Sequence, residues 1–204
     1  MSSNIPRAGK LLTVLILAAA LGGCLGSGQS MEFYTLAPLP RPAAAPGSAP
    51  GTVVAVYPAV IPALIDRPQI VTRTDANQVV LSEFNRWGGS LKEEISRTLV
   101  ENLGALLADR RVSVMSDGMA PDAAYLVSVR FNRFDGRLGE SVQLNAAWTV
   151  RDQRQKKTLA ARITVLEEKA AGPGYAELVA AQSRALAALS QEIATELAAA
   201  LRPL

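Results

Sequence analysis

The stretch VQLNAAWTV, residues 142–150, alternates apolar and polar side chains with a period of two. This period places the apolar residues on one face of a β-strand. The stretches YLVSVRFNRF (125–134) and LAARITVLE (159–167) alternate in the same way, with short connections suited to hairpins. The face shared in the last stretch consists of Leu159, Ala161, Ile163 and Val165. The pattern predicts an antiparallel sheet that is covered on one side.

Two further stretches have the spacing of amphipathic helices. Ser90-Leu91-Lys92-Glu93 matches a capping box, which predicts a helix from Leu91 to about Ala108. Gly172-Pro173-Gly174 breaks the chain before a second, alanine-rich helix from Tyr175 to about Ala200. The sequence therefore predicts an α+β fold, in which two amphipathic helices pack on one face of a mainly antiparallel sheet.

Shorter β-prone stretches lie upstream of and between these elements. A strand is predicted at Thr52–Tyr57, where Pro58 stops it, and a hairpin at 69–72 and 79–82. A further strand is predicted at 112–115. Phe33-Tyr34 is expected to pair at an edge of the sheet, and an exposed edge strand can accept another chain. Such an edge is one route to a homo-oligomer or to a transporter partner.

The composition excludes several functions. The chain has no histidine and one cysteine, which rules out imidazole catalysis, an intrachain disulfide and a cysteine metal cluster. Without the basic residues Arg7 and Lys10 near the start, 19 basic and 18 acidic residues remain. This balance argues against nucleic-acid binding, because no surplus of cations is left to neutralise phosphates. The carboxylates show no pairing typical of acid/base catalysis, so we expect a protein that is not an enzyme and has no cofactor or metal.

The single cysteine follows an apolar leader. Residues 11–21 form an apolar run of 11 residues, which suits a signal peptide and is shorter than the roughly 20 residues that span a bilayer. Leu21-Gly22-Gly23-Cys24 resembles a bacterial lipobox, which implies a diacylglyceryl group on the Cys24 thiol and cleavage before it. The alternative is an ordinary secretory signal with an incidental cysteine. Leu25, rather than Asp, follows the cysteine, which favours the outer membrane.

Three segments are expected along the chain. Residues 1–23 form the lipoprotein signal peptide. Residues 24–51 contain the lipidated cysteine, a tether, the short edge strand and a Pro/Ala-rich linker. Residues 52–204 form the α+β domain.

An ordered set of motifs resembles the ABC-type transport auxiliary lipoproteins. The set consists of the lipobox at Cys24, FYTL (33–36), VVAVYPAVIPALIDRPQIVTR (53–73), RWGGSLKEEISRTLVENL (86–103), VRFNRFDG (129–136) and ELVAAQSRALAALSQEIA (177–194). The resemblance implies a non-catalytic periplasmic lipoprotein that serves a lipid transport system. Such systems pair inner-membrane transporter components with an MCE-domain protein that spans the periplasm. The auxiliary lipoprotein would dock that protein at the outer membrane.

Two surfaces are candidate contact sites. Asp66, Arg67 and Pro68, together with Trp87, are candidates for partner binding, although Asp66-Arg67 is equally typical of a self-capping loop and Trp87 of a residue packed at a helix entry. A basic hairpin tip is a candidate contact for anionic headgroups, and a solvated turn is the alternative. The tip contains Arg151, Arg154, Lys156 and Lys157.

A different envelope function remains open at this point. An outer-membrane lipoprotein of this composition could activate a peptidoglycan synthase or assist the assembly of outer-membrane proteins. The identity of the partner separates these functions from lipid transport.

Overall fold

The computed structural model describes residues 30–41 and 51–201. The predicted signal peptide, Cys24 and most of the Pro/Ala-rich linker lie outside the described residues. The strands are β1 (Glu32–Tyr34), β2 (Thr52–Val56), β3 (Gln69–Arg73), β4 (Val79–Trp87), β5 (Val112–Ser116), β6 (Tyr125–Gly136), β7 (Ser141–Asp152) and β8 (Lys157–Lys169). The helices are α1 (Leu91–Leu106) and α2 (Tyr175–Ala200), and neither has the length and apolarity needed to cross a membrane.

The strands form one sheet with β6 at its centre. One edge of β6 pairs antiparallel with β7, which pairs antiparallel with β8. Its other edge is divided between β2, which pairs in parallel near Tyr125, and β3, which meets it at Gly136. Beyond these, β5 lies parallel to β2, and β4 joins β3 in an antiparallel hairpin. β1 lies parallel to β4 and ends that side of the sheet.

The sheet is mixed, so the prediction of a mainly antiparallel sheet is wrong. Among the described strands, four of the seven pairings are parallel: β1–β4, β2–β5, β2–β6 and β3–β6. The reason is that side chains alternate with a period of two in parallel and antiparallel strands alike, so the period carries no direction. Long connections, one of which contains α1, bring the short strands back to the sheet in parallel.

Both helices contribute to one core on the same side of the sheet. Trp148 and the other alternate residues of β7 are buried, as the period predicts. Leu99 of α1 and Leu189 of α2 are fully buried against the same cluster. Each such side chain contributes about 1.5–3 kcal/mol through removal from water. Ser90 caps α1, since its hydroxyl accepts a hydrogen bond from the Glu93 amide at 3.4 Å.

Strand β8 turns its apolar series away from the helices. Ile163 and Val165 are 70% and 65% exposed, whereas Ala160 and Thr164 on the other face of the strand are buried. The inner face of β8 combines Ala160 and Leu166, which pack in the core, with Thr164, which binds a polar residue of α2. The Trp148 indole donates to the Thr164 hydroxyl at 2.9 Å, and this hydroxyl donates to Glu192 of α2.

The segment after β1 crosses the two helices and is fixed by buried polar side chains. The Ala37 amide donates to the Ser183 hydroxyl at 3.1 Å, and the Leu39 amide donates to Asn102 Oδ1 at 2.7 Å. Asn102 also donates to Ser190, which links α1 to α2. These bonds satisfy backbone groups that burial would otherwise leave unpaired.

Candidate functional site

A groove of about 900 Å³ lies on the face of the sheet opposite the helices. We call it the outer groove. Its floor consists of small side chains from three adjacent strands, because register places Ser128, Thr149 and Ala161 in one row and Ala147 beside them. Small residues at these outward positions leave space between larger side chains. The volume of the groove falls within the range of about 300–1,000 Å³ typical of ligand pockets.

Apolar walls border this floor. One wall is the segment 57–60, which runs along β6: the Tyr57 amide donates to Val127 at 2.9 Å, and Val60 exchanges hydrogen bonds with Val129 and Phe131. The opposite wall is Ile163 of β8. Val60 is 41% exposed despite its position in the ordered edge of the sheet. Exposed apolar side chains gathered around a concavity make this groove a candidate binding surface.

A cationic depression continues the outer groove toward the β7–β8 turn. The two share Tyr57, Ser128 and Thr149, and the second is lined in addition by Arg151 and Lys156. No Asp or Glu lines either depression among the described residues. Arg130 lines the other end of the outer groove. Within the described ranges, none of these three cations forms an ion pair, so their charges face solvent uncompensated.

The structure divides the four cations of the predicted basic tip into two pairs. Arg151 and Lys156 line the cationic end of the groove, whereas Arg154 and Lys157 are exposed on the same turn and line neither depression. Lys156 adopts a positive φ of 53°, a backbone conformation that non-glycine residues adopt at a cost. Contact of the whole tip with headgroups stays a prediction.

The predicted partner-binding residues lie elsewhere and have different environments. Asp66 is exposed, and the Nε atom of the half-buried Arg67 is buried without a hydrogen-bond partner. The Trp87 amide donates to the Pro68 carbonyl at 2.8 Å, so these two are in contact. The Trp87 side chain is only 4% exposed and packs in the core, where a partner cannot reach its ring. Of this set, the exposed Asp66 and Pro68 are the residues that a partner can touch directly.

The outer groove was not identified from the sequence. The period of LAARITVLE correctly grouped Leu159, Ala161, Ile163 and Val165 on one face, but that face points to solvent. The sequence feature that could have indicated this groove is an apolar series on one strand beside small residues on the neighbouring strand. Cys24 lies outside the described residues, and the described part of the chain contains no cluster of three or more Cys, Asp or Glu able to hold a metal.

This fold recurs in crystal structures of other proteins. One, described as an uncharacterized protein, has a TM-score of 0.69 and 24% identity, and the match covers 82% of this chain and 99% of that chain. A DUF330 protein from Xanthomonas campestris has a TM-score of 0.63 and 15% identity, with 83% and 97% covered. These likenesses define the fold class. No curated protein matches the chain.

The family follows from the sequence itself. Residues 34–194 match the model of the ABC-type transport auxiliary lipoprotein component. The chain belongs to this family, which confirms the resemblance carried by its motifs. Membership of this family identifies the protein as a lipoprotein that is associated with an ABC transport system and anchored to a membrane of the cell envelope.

Proposed function

We propose that this protein is a non-catalytic accessory of an ABC/MCE-type intermembrane lipid transport system, held by a lipid on Cys24 at the periplasmic face of the outer membrane. The family match over residues 34–194 carries the proposal. The lipobox supports the anchor, and Leu25 after the cysteine supports the outer membrane. The lack of histidine supports a role without catalysis, because the commonest general base is missing from the chain.

The partner would be the MCE-domain protein that spans the periplasm, and we assign its contact to the β1 side of the sheet. There β1 presents an open edge, and Phe33 is 64% exposed. Register places Phe33 beside Arg86, and Phe84 on the same strand as Arg86 is 42% exposed. An open edge with exposed aromatic residues can bind an added strand through backbone hydrogen bonds and side-chain contacts.

Co-purification tests this proposal. The full-length lipoprotein is extracted from envelopes in mild detergent, and the proteins retained with it are identified. We expect an MCE-domain protein with the wild type and its loss with Phe33→Glu. Met119→Glu is the control, because Met119 is 74% exposed on a turn outside the β1 side. A peptidoglycan synthase or an outer-membrane assembly protein in place of the MCE-domain protein would favour the alternative functions.

The anchor is tested separately by fractionation. Cys24→Ala is expected to leave the folded domain intact and to move it from the outer-membrane fraction to the soluble periplasmic fraction, because each acyl methylene contributes about 0.8 kcal/mol of membrane affinity. Mass spectrometry of the wild-type amino terminus is expected to show an acylated cysteine. A membrane-bound wild type with a free thiol would contradict the anchor.

A further inference from the structure

We propose that the outer groove and the cationic depression that continues it bind one molecule of an anionic acyl lipid, with the acyl chain on the floor of small side chains and the negatively charged headgroup at Arg151 and Lys156. The inference deepens the proposed function and rests on it for the presence of lipid at the site. It assigns the lipid a binding place on this chain, a role that the family does not specify.

The apolar part of the groove matches an acyl chain. One row, Ser128, Thr149 and Ala161, supplies the small side chains of the floor. The next row runs from Val60 through Arg130 and Ala147 to Ile163, so Val60 and Ile163 stand at the two sides and Arg130 borders the floor beside Val60. An acyl chain that lies between these walls covers Ile163, which is otherwise 70% exposed. Covering such a side chain contributes about 25 cal/mol for each Å² of apolar surface removed from water.

The charged part of the groove matches an anionic headgroup. Arg151 and Lys156 lie at the end that also contains Gln153 and Thr158, so a headgroup there meets cations and neutral hydrogen-bonding groups. With no carboxylate in the lining, nothing on the protein neutralises these cations. A phosphate accepts charge-assisted hydrogen bonds from both Arg and Lys.

A polypeptide fits this groove less well than a lipid. The floor strands β6 and β7 already pair with their neighbours, so their backbone groups cannot pair with an added strand. A peptide on the floor would find few side-chain partners there, the Ser128 and Thr149 hydroxyls among them, and would leave most of its amides and carbonyls without hydrogen bonds, which is costly. An acyl chain has no such groups. The geometry therefore favours a lipid over a segment of a partner protein.

Photo-crosslinking in intact cells tests the inference on the full-length lipoprotein. Benzoylphenylalanine replaces Ile163 in the groove or, as the control, Met119 outside it, and the phospholipids are labelled with radioactive phosphate. The diacylglyceryl group expected on Cys24 contains no phosphorus, so the anchor contributes no label. After irradiation we expect labelled protein with the probe at Ile163 and background with the probe at Met119. Hydrolysis of the acyl esters of the adduct leaves the crosslinked acyl chain on the protein and releases the labelled glycerophosphate headgroup, which is expected to be anionic.

The hairpin tip supplies matched charge variants. With the probe at Ile163, Arg151→Gln and Lys156→Gln are each expected to lower the label roughly fivefold, since each cation contributes about 1 kcal/mol. Arg154→Gln and Lys157→Gln remove the same charge from the same turn and are expected to leave the label unchanged. An equal loss from both pairs would indicate contact with the membrane surface and overturn the headgroup assignment.

Other outcomes overturn the groove itself: no label at Ile163, equal label at both probes, adducts with zwitterionic lipid alone, or an adduct with a protein in place of lipid. Co-purification keeps this test separate from that of the proposed function. A retained MCE-domain protein without a lipid adduct overturns only the present inference. A lipid adduct without that partner overturns only the proposed function.

Discussion

Arg73 Nε lies 3.0 Å and 2.9 Å from the two carboxylate oxygens of Asp135. Asp135 is 2% exposed, and Arg133 Nε contacts one of the same oxygens at 2.8 Å. The two strands that carry Arg73 and Asp135, β3 and β6, share a single register pair, Thr72 with Gly136. The ion pair therefore reinforces the junction where the β1–β4–β3 side of the sheet meets the central strand.

Asp135→Asn is expected to lower the free energy of unfolding by about 2 kcal/mol, because two guanidinium groups lose their carboxylate in a largely buried position. The value is below that for a fully buried pair because both arginines reach solvent. Urea unfolding of the purified protein measures it. Asp109→Asn breaks an exposed pair with Arg110 and should change stability by less than about 0.5 kcal/mol. Equal effects of the two substitutions would show that the junction does not depend on Asp135.

Thr164→Val is expected to cost about 2 kcal/mol of stability. The change keeps the size of the side chain but leaves the buried Trp148 indole N–H without an acceptor, whereas the exposed Glu192 can bind water in place of Thr164. Thr158→Val, at an exposed position of the same strand, is the matched control. Thermal unfolding followed by tryptophan fluorescence distinguishes the two. A melting temperature lowered equally in both variants would contradict the role of the hydrogen-bond chain.

The raised pKa of Tyr34 predicts a loss of stability at alkaline pH. Burial, together with the hydrogen bond to Glu32, raises the pKa of Tyr34 to about 12, above its ordinary value of about 10. Between these values the folded protein keeps a proton that the unfolded chain has lost. The stabilising contribution is therefore complete below about pH 10 and disappears as the pH rises toward about 12.

The urea midpoint of the wild type should therefore fall more steeply over this pH interval than the midpoint of Tyr34→Phe, which has no phenol to titrate. The difference between the two proteins removes the contributions of other tyrosines and lysines. Parallel curves for the two proteins would show that Tyr34 titrates alike in the folded and unfolded states.

Arg111→Gly is expected to stabilise the protein by about 0.5–1 kcal/mol. Arg111 has a φ of 53°, in the left-handed region, at the end of the short 3₁₀ turn after α1. A side chain with a Cβ is strained there, and glycine is not. Arg110→Gly, one residue earlier inside the turn, should lower stability instead. A decrease for both variants would mean that the Arg111 side chain contributes more than its backbone conformation costs.

Local sequence patterns identified most elements of the fold. The capping box at Ser90 located the start of α1, and the β3–β4 turn follows from Asp75, whose carboxylate accepts from the Asn77 and Gln78 amides. Strand direction was not available from the same patterns. The parallel pairing of β2 with β5 depends on how α1 packs in the tertiary structure, which a period of two does not encode.

The candidate site was harder to predict than the fold, and β8 shows why. An apolar series is usually the buried face of a strand, yet in β8 the apolar Ile163 is exposed and the polar Thr164 is buried. Register pairs Thr164 with the buried Ala146 of β7, and Glu192 on α2 accepts a hydrogen bond from Thr164 across 28 residues of sequence. The two walls of the outer groove are the apolar face of β8 and the segment that contains Val60. Only the packed structure places them on opposite sides of the small residues of the floor.

The attachment of residues 30–41 has a mechanical consequence. Tension that reaches the domain through Ser30 acts first on β1, whose three residues pair with a single neighbour. The next attachments are the buried Leu36 side chain and the Ala37 and Leu39 amides, which hydrogen-bond to side chains of the two helices. We expect β1 to detach first while the core stays folded. β1 would then separate from β4 when its tether is pulled and pair with β4 again when the tension ends.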